Sequence, residues 1–169
     1  MIKKKEKKKK VKLSTLKNKA DGLWSVKVKE IHGFKCAICG KVHGAPNTKG
    51  KKTYLNSHHI EGRKNYALRW DVLNGIPLCT LHHDLGISSA EQSPLWFFKW
   101  LQENRPKLID YIYSKRESKI EMSVELYLKI IDRLKDFSLT EEEKEIVNFP
   151  ASFPSPISSE DIPADETPS

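Results

Sequence analysis

The sequence predicts an α+β fold: a small knuckle-and-hairpin core followed by a helical extension of about three helices. Two observations predict it. All three cysteines fall between residues 36 and 79 and all six histidines between residues 32 and 83, in a stretch broken by Gly40, Gly44, Pro46 and Gly50. Such interruption suits short turns and strands better than a long helix. Beyond residue 90 the apolar residues instead recur at helical spacing.

Taken in order, residues 23–31 (LWSVKVKEI) alternate imperfectly and fit either a strand or a short helix. Thr53-Tyr54-Leu55 suits a β-strand ending at the His58-His59 pair, and the run LCTLHHDLG suits a short helical turn stopped at Gly86. Ser93 followed by Pro94 is an N-cap and first-turn signature, opening a helix that ends near Asn104 because Pro106 restricts its predecessor. A second helix over residues 106–118 places Leu108, Ile109, Ile112 and Tyr113 on one face. A third, over residues 123–137, aligns Val124, Tyr127, Leu128, Ile131 and Leu134. The aromatic stripe Trp96, Phe97, Phe98 and Trp100 reads as packing that closes over the cysteine-bearing half, not as a cofactor box.

Composition excludes several classes. The 169 residues are 38% hydrophobic and 31% charged, against ordinary values of roughly 45–50% and about 25%. No run of about 18 uncharged apolar residues exists, which argues against a membrane span. Four Trp argue against a wholly disordered chain, and three Cys are too few for a disulfide framework. No apolar stretch follows the N-terminal lysines, so a reducing, cytoplasmic setting is the expectation.

The charge is divided unequally. Residues 1–52 carry 17 Lys against Glu6, Asp21 and Glu30, a net +14, whereas residues 53–169 sum to −6. That asymmetry points to a polyanionic partner, nucleic acid above all. Residues 1–20 read as a basic disordered arm, with a solubilising tail or a nuclear-import signal as alternatives. Residues 21–90 read as the core and residues 91–148 as the helical extension. Residues 149–169, with five Pro and four acids from Pro150 onward, read as a disordered acidic tail.

The chemistry-bearing residues fall into two half-sites. Cys36-Ala-Ile-Cys39-Gly sets two thiolates three apart, and Cys79-Thr-Leu-His82 repeats that spacing with one imidazole. Tetrahedral Zn²⁺ takes four such ligands, and a small core uses it as a staple, so Cys36, Cys39, Cys79 and His82 are expected to hold a structural zinc. Between the half-sites lie His58-His59 and then Asn74, fifteen residues after His59, while His83 follows directly on the second half-site.

CAIC, SHHI, VLNGIPLC and CTLHH stand in the order found in the HNH endonucleases, the ββα-metal nucleases, and the stretch 34–86 resembles that family. It departs from the family in having His82 where a second Cys is usual. The resemblance implies a zinc-stapled ββα-metal core and hydrolysis of DNA phosphodiester bonds with 5′-phosphate products. It implies that His59 is the general base, that His58 and His83 hold a catalytic divalent ion (Mg²⁺, Mn²⁺ or another), and that Asn74 orients the base. Arg63, Lys64 and Arg69, between the base and Asn74, are candidates for phosphate contacts. Asp71 and Asp84 are candidate partners for a ligating histidine or simply capping residues, and His32 and His43 read as incidental. Small free-standing members of the family are frequent in bacterial viruses and mobile elements. A homodimer or other bacteriophage proteins are therefore further candidate partners besides DNA.

Two rival readings carry weight. His59-Ile60-Glu61 matches the H-x-E of zinc deaminases, but Pro77 is followed by Leu78 and a single Cys rather than Pro-Cys-x-x-Cys. A zinc-stapled nucleic-acid-binding module without catalysis is the stronger rival, against which His59, Asn74 and His83 argue.

Overall fold

A computed structural model describes residues 12–46 and 49–147, and it is mixed helix and sheet. The elements are α1 (Leu13–Ile31), β1 (Leu55–His59), β2 (Gly75–Cys79), α2 (Pro94–Asn104), α3 (Pro106–Lys115), α4 (Val124–Lys135) and α5 (Glu141–Val147). No helix among the described residues is long and apolar enough to cross a membrane.

Helix α1 corrects the reading of residues 1–20 as an arm. From Leu13 onward that stretch is helical, because Leu16, Ala20, Trp24 and Val28 recur every four residues and bury one stripe. The stripe packs on Tyr127, Ile131 and Leu134 of α4, and this burial outweighs the repulsion of the surrounding lysines. The same helix settles residues 23–31 as helical. The lysine block from Lys3 to Lys10 and the tail from Pro150 lie outside the described residues.

The strands form an antiparallel pair in which His58 faces Ile76, His59 faces Gly75 and Leu55 faces Cys79. β1 starts at Leu55 rather than Thr53, and β2 takes in Leu78 and Cys79, which open the run expected to be a helical turn. Side chains alternate across the ribbon. One face carries Ser57, His59 and Gly75 toward α1, and the other carries His58, Ile76 and Leu78 toward α2. Gly75 is required by that packing: a Cβ there would lie 2.7 Å from Trp24 Cζ2 and inside contact distance of Val28.

Helices α2 and α3 pack on the hairpin core. Phe97 and Leu101 of α2 and Ile109 of α3 pack with Cys36, Leu55, Ile76 and Leu78, with Trp96 and Trp100 at the margin. The first helix spans Pro94–Asn104, while the second and third are shorter than expected, ending at Lys115 and Lys135. A short fourth, α5, went unread. Val147 in it completes a cluster with Leu68, Leu73, Leu108 and Ile112.

Candidate functional site

Two groups of side chains converge beside the hairpin. The first is built by the knuckle. Cys36 N–H donates to Lys41 O and Gly40 N–H to Cys36 O, at 2.9 and 2.8 Å, with Gly40 at φ +67° closing the turn. Ala37 N–H donates to Pro77 O at 2.9 Å, tying the knuckle to β2 and so setting Cys36 and Cys39 beside Cys79. His82 comes from the wide helical turn Leu81–Leu85, closed by Gly86 N–H to Leu81 O at 2.8 Å.

The resulting distances fit a metal tetrahedron. Cys39 Sγ lies 3.8 Å from Cys79 Sγ, and His82 Nδ1 lies 3.3 Å from Cys79 Sγ and 3.7 Å from Cys36 Sγ. A tetrahedral zinc with Zn–S bonds of about 2.3 Å sets its sulfurs about 3.8 Å apart. The three cysteines are free, and their spacing is far beyond the roughly 2.05 Å of a disulfide. Contacts with Cys36 and Cys79, reinforced by burial, push the Cys39 thiol up, while contacts with Cys36 and Cys39 pull Cys79 down against its burial. Burial opposes protonation of His82, yet the sulfurs of Cys36 and Cys79 outweigh it and hold the imidazole up to about 9. Cys36, Cys39, Cys79 and His82 could hold a metal ion such as zinc.

The second group lies on the opposite side of the turn from the first. His83 follows His82 but faces His58, their ring centroids 5.4 Å apart at a T-shaped angle, with Phe97 packed edge-on against His58 at 5.2 Å. Geometry therefore divides the two adjacent histidines, His82 going to the sulfurs and His83 to His58. Burial first, then the proximity of His83, holds His58 down to about 4, so the ring is neutral at cellular pH and keeps one nitrogen lone pair open. Glu91 also reaches this pair. Sequence reading passed over it, because it stands eight residues beyond His83 with no motif around it.

His59 is not brought onto that face. It lies on the α1 side of the ribbon, stacked on Trp24 at 3.6 Å with the rings 14° from parallel. Of His58, His59 and His83, the structure brings together the first and the last. The surroundings of His59 nonetheless fix its chemistry. Nε2–H donates to the carbonyl of Arg69 at 2.9 Å, which leaves the lone pair on Nδ1, where Arg63 Nε lies at 3.4 Å on the exposed side. Burial, followed by the charges of Arg63 and Arg69, overcomes that hydrogen bond and lowers its pKa to about 4.

Asn74, fully buried, clamps the loop between the strands. Its Oδ1 accepts from Glu61 N–H at 2.7 Å, and its Nδ2 donates to Glu61 O at 2.9 Å and Leu68 O at 3.1 Å. It thereby positions the segment that ends in the Arg69 carbonyl, its side-chain hydrogen bonds going to Glu61 and Leu68.

The three basic candidates separate. Arg63 and Lys64 are exposed on the loop. Arg69 is corrected: its buried guanidinium forks onto Asp21 at 3.1 and 2.9 Å and donates to Arg63 O at 2.7 Å, so it is a structural tie and is not offered to a phosphate. Asp71 proves to be a cap, accepting from Leu73 N–H at 3.0 Å and from Tyr111 Oη–H at 2.6 Å. Asp84 lies beside His83, its Oδ2 3.9 Å from Nδ1. His32 and His43 are structural, donating to Val28 O at 2.9 Å and accepting from Leu55 N–H at 3.1 Å respectively. No family model, curated protein or solved structure matches the chain.

Proposed function

We propose that the chain is a metal-dependent endonuclease of the HNH kind that hydrolyses DNA phosphodiester bonds. The observation that carries this reading is the state of His59: a neutral imidazole whose tautomer is set by the Arg69 carbonyl, with Nδ1 directed to the loop side of the molecule. Two antiparallel strands followed by the His82-His83 turn are in keeping with a ββα-metal core.

In this mechanism His59 Nδ1 takes the proton of the attacking water, while Nε2–H stays on Arg69 O and the ring keeps its plane against Trp24. With its pKa held at about 4 the imidazole is neutral at cellular pH, and the lone pair on Nδ1 is open to a proton. His58 and His83 would hold a divalent ion, which would supply Lewis-acid chemistry to the phosphate and the departing 3′ oxygen. His59 is the last residue of β1 and His58 the one before it, so their side chains leave the ribbon on its two faces. Arg63 gives up its contact with Nδ1 and, with Lys64, neutralises the phosphate. Asn74 keeps the loop, and with it the base, in place. The H-x-E deaminase reading loses its support, because His59 stands apart from the cysteines.

Supercoiled plasmid incubated with Mn²⁺ or Mg²⁺ is expected to be nicked or linearised, with 5′-phosphate ends and full inhibition by EDTA. Binding without cleavage in every divalent ion tried would instead favour the zinc-stapled binding module.

A further inference from the structure

The carboxylate of Glu91 has no part in the mechanism above, yet it stands over the histidine pair. Its Oε1 is 3.6 Å from His58 Nδ1 and 4.0 Å from His83 Nε2. Ligand atoms around one divalent ion at about 2.0–2.2 Å stand about 3.0–3.5 Å apart. The three ligand atoms already lie within 4.8 Å of one another, and Glu91 needs to close on the two imidazoles by no more than about 1 Å. The backbone holds Glu91 there: its N–H donates to His83 O at 3.0 Å, and Ala90 N–H donates to His82 O at 2.9 Å. The turn is tightened by Gln92 N–H to the buried Ser89 Oγ at 3.2 Å and Ser93 N–H to Ser89 O at 3.0 Å.

Behind His83 lies a second sign. Its other ring nitrogen, Nδ1, is buried without a hydrogen-bond partner among the described residues, and so is Asp84 Oδ1. Imidazoles that bind a metal through one nitrogen commonly give the other N–H to a carboxylate, which fixes the ring. Asp84 is placed to accept it after a small rotation.

We infer that Glu91 is a third ligand of the divalent ion, with Asp84 orienting His83, and that this two-histidine, one-carboxylate face takes a first-row transition ion in preference to Mg²⁺. Two imidazole nitrogens suit Mn²⁺ through Zn²⁺, whereas Mg²⁺ prefers an all-oxygen shell and keeps its waters. One carboxylate leaves the bound ion a net positive charge, enough to polarise a phosphate. The inference rests on the proposed function only for what the ion does, not for how it is held.

The test is Mn²⁺ titration of the zinc-loaded full chain, with free Mn²⁺ read by electron paramagnetic resonance. One Mn²⁺ per chain is expected, and Mg²⁺ in tenfold excess should displace little of it. Glu91→Gln should weaken binding at least about tenfold and Asp84→Asn about tenfold, with His58→Ala as the loss control. Glu91→Gln is isosteric at a half-exposed position, and an unchanged thermal melt establishes that it folds. Wild-type affinity in Glu91→Gln, or displacement by Mg²⁺ at parity, overturns the inference. Glu91-dependent Mn²⁺ binding without plasmid cleavage upholds the site and removes the nuclease reading. Cleavage with Mn²⁺ affinity indifferent to Glu91→Gln does the reverse.

Discussion

Changing Cys36 and Cys39 together to Ser is expected to remove zinc from the chain and to abolish cooperative melting of the hairpin core. The magnitudes decide this. A structural zinc contributes about 10–16 kcal/mol of apparent binding free energy in small folds, whereas a domain's whole stability is about 5–15 kcal/mol. The clamp is also part of the core that it ties together, because Cys36 and Cys79 are buried in the same cluster as Leu55, Ile76 and Leu78. Both halves of the site depend on it: His82 and His83 are neighbours on one turn, so freeing the first unmoors the second. Elemental analysis should fall from one zinc per chain to none, with loss of the sigmoidal circular-dichroism melt. A double-Ser variant that melts within a few degrees of wild type would show that the staple is dispensable.

Asp21→Ala should cost about 2–3 kcal/mol, or about 10 °C in melting temperature. The Asp21 carboxylate accepts both arms of the Arg69 fork and, at 2.8 Å, the indole N–H of Trp70. Although burial alone would raise its pKa, these bonds to Arg69 and Trp70 hold it below the usual carboxylate value. Truncation strands a guanidinium that is only 8% exposed, together with an indole donor. The loss is kept below the 3–5 kcal/mol typical of a fully buried pair because Asp21 itself is 32% exposed, so water replaces part of what is removed. The double variant Asp21→Ala/Arg69→Met should recover part of the stability, since it no longer buries an unpaired charge. Equal losses in the single and double variants would mean that the pair is not coupled.

The elements that sequence made legible were those with local grammar. Ser93-Pro94 and Pro106 set the bounds of α2, and helical periodicity placed most of α3 and α4. The four members of the cysteine clamp could be named from spacing, because a metal's ligand set is written in residue type. What was missed depends on partners distant in the chain. The start of α1 looks like a charged arm until α4, a hundred residues on, covers Leu16 and Ala20. Arg69 resembles a free loop cation until Asp21 claims it. Glu91 has no spacing signal, and only the tied amides of residues 90 and 91 bring it to His58. The side of the ribbon that His59 occupies follows from strand register, which the sequence near it does not settle.

The central claim is that the Nδ1 lone pair of His59 activates the water that breaks the phosphodiester. Its most direct test sets wild type beside His59→Ala on supercoiled plasmid in Mn²⁺, with DNA affinity measured in parallel in Ca²⁺. Removal of a general base costs about 10²–10⁴-fold in rate. The account predicts a loss in that range, with affinity and zinc content kept. Equal cleavage rates in the two proteins would contradict it.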